Sequence, residues 1–99
     1  MELSEIIVGE AGPLMFCGLQ AYIAVAWVYQ RNSTMYGVGE ANDMSRFVAE
    51  NWWLFEDPTD GATFLFSEKD LSRPAVKKLI ENKGPPTVFK CRVGALYAY

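Results

Sequence analysis

The chain has no histidine among its 99 residues. That removes the Ser-His and Cys-His nucleophile systems and most zinc sites. Cysteine is nearly absent too, with only Cys17 and Cys91, far apart in sequence. Two cysteines do not make a metal site. They can form one disulfide or stay two small buried thiols, and free thiols are the expectation. Positive charge is scarce early on. Residues 1–71 hold three positive and eleven negative side chains, a net of −8; residues 72–99 hold six and one, a net of +5. The split reads either as two solvated faces or as a basic wall that draws in an anionic polymer. The whole chain is acidic, at −3, and has no recognition motif, so no nucleic-acid partner is expected. Charge is missing altogether from Pro13 to Tyr29. That run is at the lower edge of a membrane span. Gly18 and Gln20 interrupt it and no basic cluster flanks it, so a buried core helix is expected and no membrane span. Glu2, Glu5 and Glu10 stand where a secretory signal peptide would have its basic head, so no signal peptide is expected.

What is present is apolar. Hydrophobic residues make up 51% of the chain and aromatics 14%, enough for one real core. The length fits a single domain, 1–99. Residues 3–10 read as a short helix with Ser4 as cap and Glu5 in its first turn. Ala11-Gly12-Pro13 breaks it. Residues 15–30 read as a central helix with apolar residues on both faces, Phe16, Leu19, Ile23 and Trp27 on one and Tyr22, Val25 and Tyr29 on the other. A long loop rich in Gly, Asn and Ser covers 32–44, and such loops are often functional. A third helix is expected over 45–54, capped by Asn42 or Asp43, with Phe47, Val48 and Trp52 inward. After the turn 56–61 comes a strand, 62–66. Pro74 starts a fourth helix and Gly84 ends it, with Ala75, Val76, Leu79 and Ile80 as its apolar side. Residues 87–92 and 95–99 read as a hairpin through Val93-Gly94. The expected class is α+β, with helices packed on a short antiparallel sheet.

Glu10 is the last charge before the long apolar run. Apolar surroundings disfavour an ionised carboxyl, which is how a carboxylate becomes a general acid. At the end of its helix it is expected near backbone carbonyls and away from free amides. The competing reading is a solvated helix-end residue.

Five segments, in order, resemble the SleB-like cell-wall hydrolases, also called spore-cortex-lytic enzymes. They are Gly9-Glu10-Ala11, Ile23-Ala24-Val25-Ala26-Trp27-Val28, Asp57-Pro58-Thr59-Asp60-Gly61-Ala62, Arg73-Pro74-Ala75-Val76-Lys77 and Val88-Phe89-Lys90-Cys91. The chain departs from the family at Gly12-Pro13-Leu14, where a second acidic group is usual. The resemblance implies a small lysozyme-like domain that cuts the glycan strands of peptidoglycan, as a lytic transglycosylase or a muramidase. It implies that Glu10 is the catalytic acid. It implies a sugar groove lined by the Asp57-Pro58-Thr59 turn and by Thr63 and Phe64 of the following strand. The implied place of action is the cell wall, outside the cytoplasm. Without a signal peptide, that fits a phage-encoded lysin, a virion component or a domain from a longer chain.

Cleaving a glycosidic bond needs a proton on the leaving oxygen, and a carboxylic acid supplies it. A hydrolase adds a second carboxylate, for which Glu40, Asp57 and Asp60 are the candidates. A lytic transglycosylase does without one. Tyr36, in the long loop, is a candidate stacking platform for a sugar ring. Gln30 either reaches the groove or caps its helix. Asp57 also reads as a turn-former, and Phe64 also reads as core. No metal and no organic cofactor are implied. The alternative to an enzyme is a glycan-binding, partner-binding or structural protein on the same fold.

Overall fold

A computed structural model describes residues 2–34 and 37–99. Four helices pack on a three-stranded antiparallel sheet, so the chain is an α+β domain, 56% helical and 11% strand. The helices are α1 (Leu3–Ala11), α2 (Leu14–Arg31), α3 (Asp43–Asn51) and α4 (Pro74–Lys83). The strands are β1 (Leu65–Ser67), β2 (Thr87–Lys90) and β3 (Ala95–Ala98). β3 lies in the middle and pairs with both others. Phe66 faces Tyr97 across one ladder and Phe89 faces Leu96 across the other.

The core is built by the first three helices. Ile6 and Ile7 of α1, Tyr22, Val25 and Val28 of α2, and Val48 of α3 are fully enclosed. Ala21, Ala24 and Ala26 are buried between them, and their small side chains let the helices approach closely. Phe89 and Leu96 close the core from the sheet. Tyr22 also has a polar task. Its hydroxyl donates to the Gly12 carbonyl (2.8 Å) and accepts from Asn42 Nδ2 (2.9 Å), so one buried side chain ties the α1–α2 turn to the start of α3. Asn42 caps α3, accepting from the Ser45 amide at 2.8 Å.

Several local expectations change. Ser4 is buried and does not cap α1; the Glu2 amide instead donates to the Glu5 carboxylate at 2.9 Å. The third helix ends at Asn51 and tightens into a 3₁₀ turn, Trp52–Leu54. Phe47 faces outward, 49% exposed, and packs edge-on against Phe55. The strand expected at 62–66 begins at Leu65, because the Thr63 and Phe64 amides both turn to the carbonyl of Tyr99, beyond the end of β3. No residue of α4 is buried, although its apolar stripe is plain in the sequence.

The central helix is not continuous. Gly18 has φ 85°, a left-handed conformation that L side chains rarely adopt. It detaches the first turn, Leu14–Cys17, from the long buried segment. The cysteines hold that turn in place. Contrary to the free-thiol expectation, Cys17 and Cys91 form a disulfide that spans 74 positions of sequence. Beside it the Arg92 amide donates to the Phe16 carbonyl at 2.8 Å. Among the described residues no helix is long and apolar enough to cross a membrane.

Candidate active site

Glu10 is on the last turn of α1, beside the chain that enters from the long loop. Two backbones meet there. A Cβ on Gly9 would lie 2.1 Å from Gly37 C and Val38 N, and one on Gly37 would lie 2.6 Å from Gly9 C. Only glycine at both positions lets the peptide units touch. The Gly39 amide donates to the Glu5 carbonyl at 2.9 Å and extends the contact along α1. The close approach delivers the Gly37 amide to Glu10 Oε1, at 2.9 Å. Glu10 therefore does have a backbone amide, contrary to expectation. The donor belongs to a loop 27 residues away, not to its own helix.

Glu10 lines two cavities. The first, of about 270 Å³, has Phe16, the Cys17–Cys91 disulfide, Val93 and Leu96 on its apolar side and Glu68 and Lys69 on its polar side. The second, of about 320 Å³, is lined by Asn32, Thr34, Phe64, Leu65, Asp70 and Arg73. A third, of about 440 Å³, shares Thr34, Phe64, Leu65 and Arg73 with the second and ends on Val76 and Leu79 of α4. The first two cavities share Glu10 and the last two share four residues, and the three together make up the candidate groove.

Of the residues expected at the site, the structure brings together Glu10 and Phe64. Phe64 is 49% exposed and faces the groove. Thr63 is next to it and lines none of these cavities; its carbonyl accepts from Asn32 Nδ2 at 2.8 Å. Asp57 and Thr59 are occupied elsewhere. Asp57 Oδ1 accepts from the Thr59 amide (2.9 Å) and hydroxyl (2.6 Å), and Oδ2 accepts from the Gly61 amide (3.0 Å) and from Arg31. Partial burial pushes the Asp57 pKa up. The hydrogen bonds from Thr59, Arg31 and Gly61 outweigh that and hold it below the ordinary carboxyl value. Thr59 is buried. This turn is a fastening for the end of α2, since Arg31 also donates to the Ala62 carbonyl at 3.0 Å. Gln30 bonds back to the Ala26 carbonyl on its own helix, at 3.0 Å. Tyr36 lies outside the described residues.

Neither Glu40, Asp57 nor Asp60 lines a cavity with Glu10; Glu68 and Asp70 do. Glu68 Oε1 accepts from the Tyr97 hydroxyl at 2.8 Å, which raises the Tyr97 pKa. Asp70 accepts from the Ser67 amide (3.1 Å) and hydroxyl (3.2 Å) and lies 3.7 Å from Arg73. The Ser67 amide, ahead of the other contacts, holds the Asp70 carboxyl below its ordinary value. Both carboxylates escape a motif search because they follow β1 as an ordinary charged turn. Phe16 escapes it because the helical spacing assigns it to the core, and only the Gly18 break turns it to the groove. Among the described residues no group of three or more His, Cys, Asp or Glu is placed to hold a metal ion.

Comparison with known proteins adds no relative: no family model, no curated protein and no solved structure matches the chain.

Proposed function

We propose that this domain cleaves the glycan strands of peptidoglycan, with Glu10 as general acid and then base. One observation supports the reading above the others. Glu10 lines two cavities at once, one largely apolar and one largely polar. The ordered SleB-like segments, Gly9-Glu10-Ala11 first among them, supply the substrate class.

In this mechanism the protonated carboxyl of Glu10 gives its proton to the glycosidic oxygen as the bond from that oxygen to the sugar's anomeric carbon breaks. Glu10, now a carboxylate, takes a proton from the attacking hydroxyl. If that hydroxyl is the sugar's own, its oxygen bonds to the anomeric carbon and leaves an anhydro end. If it comes from water, a second carboxylate is needed, and Glu68 and Asp70 line the groove for that role. The domain then works at the cell wall, outside the cytoplasm.

The test is digestion of purified peptidoglycan by the wild type and by Glu10→Gln, with products read by mass spectrometry. Anhydro ends from the wild type identify a lytic transglycosylase and reducing ends a muramidase. Glu10→Gln is expected to lose at least about 10²-fold in rate. A folded wild type that binds glycan and releases no product reduces the proposal to a glycan-binding module.

A further inference from the structure

The aromatic side chains divide into two groups. Most pack against one another. Trp27 meets Trp52 at 5.0 Å, Trp52 meets Trp53, Phe47 meets Phe55, and Phe66 stacks on both Tyr97 and Tyr99. Tyr22 and Phe89 are buried in the core, and Tyr29 packs against it partly buried. Two phenylalanines fit neither description. Phe16 is 36% exposed and Phe64 49%, and neither pairs with another aromatic ring among the described residues.

Each lines a different cavity that Glu10 also lines. Phe16 is on the wall of the first cavity and Phe64 is shared by the second and third. Their backbones are pinned while their rings stay open. Phe64 exchanges two main-chain hydrogen bonds with Tyr99, at 2.9 and 3.0 Å. The Phe16 carbonyl accepts from the Arg92 amide, the next residue is in the disulfide, and its ring passes 3.4 Å from where a Cβ on Gly12 would be. A platform whose backbone is already fixed needs no main-chain ordering on binding, which lowers the entropy cost. Each ring shares its cavity with polar groups, Phe16 with Glu68 and Lys69 and Phe64 with Asn32 and Arg73. An apolar face edged by hydrogen-bonding groups fits a sugar ring, which has C–H bonds on its faces and hydroxyls around its rim.

Resting on the proposed glycan chemistry, we infer that Phe16 and Phe64 are the two stacking platforms of the groove, one for the sugar on each side of the bond that Glu10 protonates. The substrate is then a strand that spans Glu10. A saccharide short enough to occupy one side engages one platform. The disulfide keeps the Phe16 platform in position.

The experiment measures binding and cleavage separately. Binding is read in the Glu10→Gln protein, by calorimetry with soluble peptidoglycan glycan strands of one and of several disaccharide units. Phe16→Ala and Phe64→Ala are each expected to weaken binding of the longer strands by roughly tenfold, the worth of one good aromatic contact. Phe→Tyr at either position keeps the ring and restores affinity. Phe→Leu keeps the apolar volume and does not. A single disaccharide is expected to respond to one of the two substitutions only. Circular dichroism confirms that each variant is folded.

Wild-type affinity for long strands in both alanine variants overturns the platforms, and if peptidoglycan is still cut the catalytic reading survives without them. Ring-dependent binding with no cleavage by the wild type keeps the platforms and removes the catalytic reading. No binding of any strand removes both. Equal losses for short and long strands on substitution of both rings also overturn the inference, because general loosening of the fold acts at every length.

Discussion

The groove has one firm wall and one soft one. Helices α1 to α3 enclose Ile6, Ile7, Tyr22, Val25, Val28 and Val48 completely, whereas α4 encloses nothing. Both regions have apolar stripes at helical spacing. The difference lies in what each can approach. The first three helices meet through alanines, and the long loop meets α1 through bare Gly9 and Gly37 backbone. α4 rests mainly on the short turn Glu68–Ser72, with Val76 and Leu79 half-buried at the far end of the groove. An apolar stripe says that a helix wants a partner. Burial depends on whether backbone and small residues allow one near. Glu10 belongs to the firm wall, and its amide donor comes through the glycine contact. Asp70, Arg73 and α4 form the soft wall.

That contrast is broken most directly in the core. Ile7→Ala is expected to cost roughly 2–5 kcal/mol by urea denaturation, through lost transfer energy and the cavity left behind. Next comes the covalent tie. Removing the disulfide by Cys17→Ser with Cys91→Ser is expected to cost roughly 2–4 kcal/mol, because the closed loop is long. The lowered melting temperature should be matched by the wild type in dithiothreitol. Gly9→Ala pushes a methyl into the Gly37 backbone and is expected to cost about 1–3 kcal/mol. If the proposed glycan cleavage holds, it should also lower that activity by more than its stability loss explains, since it shifts the amide that holds Glu10.

A smaller effect belongs to the turn at Asp57. Its folded pKa lies below the ordinary 3.8, so its stabilisation is complete above that value and is lost as pH falls through the folded value. The melting-temperature advantage of the wild type over Asp57→Asn should therefore be full at neutral pH and shrink below about pH 4. Smallest of all is Leu79→Ala on α4, expected below about 1 kcal/mol because the side chain is only half-buried. A loss at Leu79 equal to that at Ile7 would erase the distinction between the two walls.

Much of this architecture is legible in the sequence, because it is local. Pro74 and Gly84 bound α4, Asn42 caps α3, and Gly94 sits in the hairpin, each through its own backbone chemistry. Glu10 is legible as the carboxylate before an uncharged run. What stays hidden is set by pairs of residues far apart. Periodicity says nothing of Gly37 meeting Gly9, of Cys91 reaching Cys17, or of the Tyr99 carbonyl drawing Thr63 and Phe64 out of the strand. The Asp57-Pro58-Thr59 turn shows the opposite failure. Its residues are conspicuous, yet they bond to each other and to Arg31 and do not line the groove. A motif names residues, and only the fold says which way they face.

The disulfide closes residues 17–91 into a ring, and Glu10 is on the tail that enters it. A protease cut in the loop between α2 and α3 would leave two fragments still joined through Cys17 and Cys91. The piece with Glu10 and Phe16 would remain fastened to the sheet, while Phe64 stayed on the same fragment as its partner Tyr99. In covalent terms the site is a knot between the two ends of the chain, and its middle can be opened without untying it.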